Sequence, residues 1–184
     1  MRRIAVLSAL VVAGGLVSPA SALAADRAAP DHRWIAVEDE FAVVLPDGTT
    51  YDEDSPPPGE DEEMPSLPVG ARLFIGEALY ATDDGATRGD QVGRTHIECT
   101  AQVVPDDLLC DIAFVLDDDA GQLHGSVLVD FSTQAPDEVT SFDIAVTGGT
   151  GEFAGADGVV SLTDTTDTSD PAAETTTLYE ADLS

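Results

Sequence analysis

The sequence predicts an all-β protein, and three observations carry that prediction. From Arg72 onward, short apolar runs alternate with Gly-, Pro- and Asp-containing turn clusters, and no helical periodicity intervenes. Within the runs apolar and polar residues alternate with period 2, the pattern of a strand with one buried face. Eight such runs can be read along the chain. Short strands joined by tight turns build either a sandwich or a closed barrel, and periodicity does not separate the two.

Taken in order, Arg33–Leu45 (RWIAVEDEFAVVL) is the first strand, with an acidic interruption between Val37 and Phe41. Leu73–Tyr80 is the second, closed by the turn Thr82-Asp-Asp-Gly85. Val92–Val103 alternates most clearly: Ile97, Cys99, Ala101 and Val103 face one way, and His96, Glu98, Thr100 and Gln102 the other. Pro105-Asp-Asp107 turns the chain into a strand whose one face is Cys110, Ile112, Phe114 and Leu116. Asp117–Gly121 turns it again into Leu123–Phe131. Phe142, Ile144 and Val146 alternate with Asp143, Ala145 and Thr147, and Val159–Leu162 and Thr175–Leu183 complete the set.

Between the sixth and seventh strands, Gly148, Gly149 and Gly151 supply a turn in which positive φ costs little. Gly149-x-Gly151-x-x-Ala154 satisfies a short dinucleotide fingerprint, but that motif requires a helix N-terminus to hold the pyrophosphate. The residues that follow are Gly-rich and β-branched, so a glycine turn is the reading here.

Residues 1–24 have the tripartite pattern of a secretory signal peptide: Arg2-Arg3, an apolar run from Ile4 to Val17, and Ala22-Leu23-Ala24 as cleavage site. The expected product is secreted, with residues 25–32 as a mobile tail and 33–184 as one domain. Residues 47–69 form a Pro-rich acidic loop with almost nothing to bury. Its acids lack the spacing of a calcium-binding loop. Seven basic residues, all arginine, stand against 36 acidic ones, a formal charge of −29. Such a surface disfavours nucleic acid and anionic membranes as partners. No cofactor motif and no metal set is read from the sequence.

Cys99 and Cys110 flank the Pro105 turn so that one hairpin register, in which paired numbers sum to 209, sets them directly opposite. In an oxidising compartment that placement predicts a disulfide.

The stretch TGGTGEFAGADGVVSL (147–162) resembles the signature of the allene oxide cyclase and dirigent superfamily. The likeness extends through Gly70–Tyr80, Gly93–Cys99, Gly121–Gly125 and Thr177–Leu183. It implies an eight-stranded antiparallel β-barrel, whose interior is nearly filled or holds one small ligand. It also implies a small apolar or phenolic molecule as ligand, isomerase-like or dirigent-type steering of its cyclisation or coupling, and a homotrimer. The alternative is a non-catalytic extracellular barrel that binds a ligand or serves structure alone.

Glu77 falls where the cyclases carry a polar water-fixing residue, and among Phe74, Ile75 and Leu79 its carboxyl would serve as a general base. Phe74, Ile112, Phe114 and Tyr179 are the candidates to line or fill the cavity. Cys99 falls where the plant cyclases place a cavity cysteine, and Glu38 is the nearest counterpart of their first-strand glutamate. Arg72 and Arg94 stand on strands, as the dirigent arginines do. His96, Glu98 and His124 lie on the polar, outward faces of their strands, which makes them surface residues rather than a metal triad.

Overall fold

The computed structural model describes residues 30–52, 54–55, 67–104, 106–133, 140–170 and 172–184. The leader, residues 25–29 of the tail and most of the acidic loop lie outside the described residues. Nine strands follow in chain order: β1 (His32–Val44), β2 (Thr50–Asp52), β3 (Arg72–Ala81), β4 (Gln91–Ala101), β5 (Asp107–Leu116), β6 (Gly121–Asp130), β7 (Ser141–Gly149), β8 (Gly158–Asp164) and β9 (Thr176–Leu183). Every neighbouring pair from β3 to β9 is antiparallel, β1 bonds β3 along its length, and β1 also bonds β9. The sheet therefore closes into an eight-stranded antiparallel barrel.

The ninth strand follows from backbone accounting. β9 covers His32–Val37 of β1, which leaves the far end of that edge without partners. β2 supplies them, pairing with Ala42–Val44. This strand falls inside the segment that the sequence reads as loop. β1 begins at His32, one residue into the expected tail. The acidic interruption of β1 is a bulge: the register shifts between Glu38 and Glu40, and Asp39 turns outward to accept two hydrogen bonds from Arg94 at 2.7 and 2.9 Å.

Alternation sends one set of side chains inward. Trp34, Leu79, Phe114, Leu123, Ile144, Val160 and Tyr179 make up the centre of a core in which Phe114 and Tyr179 are wholly buried. The Phe114 ring stacks on Trp34 at 5.6 Å and meets Tyr179 edge-on at 5.1 Å. Such aromatic pairs contribute ~0.5–1.5 kcal/mol beyond area burial. Cys99 and Cys110 are register partners and form the expected disulfide.

The glycine motif holds two turns against each other. Thr150 donates its N–H to Gln122 and Glu152 donates its own to Ala120, both at 2.8 Å. A Cβ on Gly121 would stand 2.2 Å from the Thr150 carbonyl oxygen, and one on Gly151 2.3 Å from that of Ala120. Only glycine permits that approach. A single 3-10 turn, Gly151–Phe153, follows and buries Phe153. A turn of this length has no N-terminus able to hold a pyrophosphate.

Candidate active site in the barrel interior

Glu77 of β3 is the only carboxylate among the buried residues described, at 4% exposure. Its face is fixed by alternation, since it shares β3 with inward Leu79 and pairs in register with Thr95 of β4. Thr95 donates its hydroxyl to Glu77 Oε2 at 2.5 Å. Tyr179, reaching across from β9, donates its own to the same oxygen at 2.8 Å. A third hydroxyl, that of Thr177, also favours the ionised form. These contacts join β3, β4 and β9 through one carboxyl group.

Two effects oppose each other at Glu77. Burial raises its pKa, while hydrogen bonds from Thr95, Tyr179 and Thr177 lower it; desolvation wins, and the net direction is up. The Tyr179 phenol is pushed well above its ordinary value by burial and by the adjacent carboxylate, so it stays a donor. A carboxyl group of raised pKa in an apolar interior is a stronger base than an exposed one and takes and returns a proton more readily. Glu38 of β1 is the register partner of Glu77, which sets two glutamates side by side on neighbouring strands.

Beyond this layer Leu73 and Ile97, on the inward face of β3 and β4, pack against the core while keeping partial exposure, as do Val127 of β6 and Phe142 of β7. Ile75, on the same face of β3, also keeps partial exposure. In an eight-stranded closed ring β7 stands opposite β3. Phe142 of β7 therefore stands on the strand that faces Leu73 and Ile75 of β3.

Of the residues singled out from the sequence, Ile112, Phe114 and Tyr179 point inward with Glu77 and are 3%, 0% and 0% exposed, so they pack the interior. Phe74 does not join them. It alternates against Ile75 and stands on the outer face, with the Arg72 guanidinium 4.7 Å from its ring centroid. Arg72 and Arg94 are also outward, paired with Glu98 and Asp39. Oxidised to Cys110, Cys99 has no thiol to offer. His96, Glu98 and His124 point outward, and no metal-holding group of His, Cys, Asp and Glu occurs among the described residues. Thr95 and Thr177 are the partners that sequence reasoning passed over. Alternation from Ile97 already placed Thr95 on the apolar face, where a lone hydroxyl needs a partner.

The likeness to solved structures rests on this arrangement of strands. Pyocyanin demethylase superposes with a TM-score of 0.51 at 24% identity, over 83% of this chain and 98% of that one. Two pterocarpan synthase dirigent proteins superpose with TM-scores of 0.51 at 16% identity, each over 81% of this chain and over 84% and 89% of their own. The fold is the dirigent-type barrel. No protein-family model matches the sequence, and no curated protein matches it.

Proposed function

We propose that this dirigent-type barrel holds a small apolar or phenolic molecule in its interior and steers its cyclisation or coupling, with Glu77 as the proton-transfer group. The observation that supports this best is the pairing of a buried carboxyl, supplied with hydroxyls and with no positive partner among the described residues, with a layer of partly exposed inward apolar side chains. In such chemistry the wall supplies orientation and excludes water, and few catalytic groups are needed. The neighbours are named for pyocyanin and for pterocarpan synthesis, both aromatic ring compounds. Export is inferred from the leader pattern together with the disulfide, which persists in oxidising compartments. Trimer assembly is inferred from the family resemblance alone.

A non-catalytic barrel is the second reading. It is favoured by Glu77 Oε2 accepting from both Thr95 and Tyr179, which makes the carboxyl a tie between strands. Two variants separate the readings against a panel of phenols and oxidised fatty acids. Ile97→Trp, which fills the lumen, should abolish the thermal shift that a bound ligand produces. Glu77→Gln should keep the shift and lose turnover. A ligand that shifts both variants equally, with no conversion by the parent protein, would leave the non-catalytic barrel.

A further inference from the structure

The outer wall of the barrel carries a groove of about 720 Å³, within the range of small-molecule sites. Register explains its position. On the outward face Gly76, His96, Ala113 and His124 form one row across β3, β4, β5 and β6. Phe74, Glu98 and Asp111 form the next row. The Glu40 side chain and the Arg94 guanidinium already cover Gly76, whereas Ala113 is too small to fill its share of the surface, so His96 and His124 on either side of it become walls.

Three features of those walls define a ligand. First, His96 and His124 stand two strands apart with only Ala113 between them, a backbone separation of roughly 9.6 Å at ~4.8 Å per strand. Aromatic rings stack at centroid distances of ~4.5–7 Å, so one planar ring fits between two others at this spacing. His124 is held in place by its Nε2 contact with Gln122 Oε1 at 3.2 Å. Second, Glu98 and Asp111 are directly opposite in register, a like-charge pair that costs stability. Arg72 answers Glu98 from one side, and Asp111 remains exposed on the groove side. Third, Glu40 closes the β1 end of the groove with Arg94 at 3.7 Å, and Arg72 holds Glu98, so Asp111 is the groove carboxylate that has no cationic partner among the described residues. The formal charge of −29 steers a cation toward that surface.

We propose that this outer groove is a binding site for a planar aromatic cation, its ring over Ala113 between the two histidines and its charge beside Asp111 and Glu98. The site lies on the opposite side of the wall from Glu77 and is independent of the lumenal reading.

Fluorescence titration of the purified protein with proflavine, a planar cation, tests it beside spermidine, a cation without a ring, and 1-pyrenesulfonate, a planar anion. Proflavine should bind with one-to-one stoichiometry at 0.15 M salt, where long-range attraction to exposed acids is largely screened. Asp111→Asn should weaken it several-fold. The His96→Ala/His124→Ala double variant should weaken it at least tenfold, and Ala113→Leu, which fills the floor from outside, should abolish it with the melting temperature retained. Glu77→Gln should leave it unchanged, and pyrenesulfonate should not compete. Binding of several dye molecules per chain that falls away with salt in step with spermidine would reduce the groove to general counterion attraction and overturn the proposal. Dye binding that survives the histidine double variant, or is lost in Glu77→Gln, would overturn it equally.

Discussion

Tyr179→Phe removes a single oxygen from the centre of the barrel. The ring remains edge-on to Phe114 at 5.1 Å, so little packing is lost. What goes is the 2.8 Å hydrogen bond to Glu77, between two groups exposed by 0% and 4%. Hydrogen bonds to charged groups contribute ~1.5–3 kcal/mol, against ~0.5–1.5 kcal/mol for neutral pairs. The variant should therefore lose about 1.5–3 kcal/mol where Glu77 is ionised, or roughly 3–12 °C in melting temperature for a domain of this size. In acid, with Glu77 protonated, the loss should shrink to the neutral range. Urea unfolding of both proteins at the two pH values, with unchanged m-values, measures it. An equal loss at both, or none at either, would show that the Tyr179 hydroxyl does not support a buried charge and would remove the electrostatic basis of the site.

Glu77→Gln should show the complementary pH dependence. Between the ordinary carboxyl value and the raised folded one, the unfolded chain has released a proton that the folded chain retains, so this group's contribution to stability declines as pH rises through that window. The variant lacks that decline, and its stability relative to the parent should climb with pH; a constant difference across a urea series would contradict the raised pKa. Replacing Cys99 and Cys110 together by Ala should cost about 2–3 kcal/mol, the entropy of closing an 11-residue separation, read from the denaturation midpoint. Added salt should raise the melting temperature, because Arg33, Arg72, Arg88 and Arg94 are each already engaged by an acid and the remaining carboxylates repel one another. A flat profile from low to molar salt would show those charges to be dispersed enough not to matter.

The barrel strands were legible because each has one face to bury, and the Cys99–Cys110 register because a short hairpin leaves few alternatives. β2 was not, since three residues carry no period; it exists only because Ala42–Val44 extend past the reach of β9. Phe74 stands three residues before Glu77, an odd spacing that puts the two on opposite faces of β3, so with Glu77 inward Phe74 points out. Glu77 was legible as an acid in an apolar run. Its hydroxyl partners Thr95 and Tyr179 lie 18 and 102 residues away, a distance that only strand pairing closes. The outer groove depends on Ala113 aligning between His96 and His124 across strands, which no single segment reveals.

The ladders of the closed ring are unequal in length. β4 and β5 share nine register pairs and a covalent link, and β5 and β6 share ten, whereas β6 and β7 share four with a register shift among them. Breathing of the native state should therefore begin as a slit between β6 and β7, and amide exchange there should be fastest among the barrel seams. Val127 and Phe142 stand on those two strands with their side chains turned inward. Transient parting of this seam would give a molecule too large for the barrel mouth a route to the interior, and the rate of that parting would then limit how quickly it arrives.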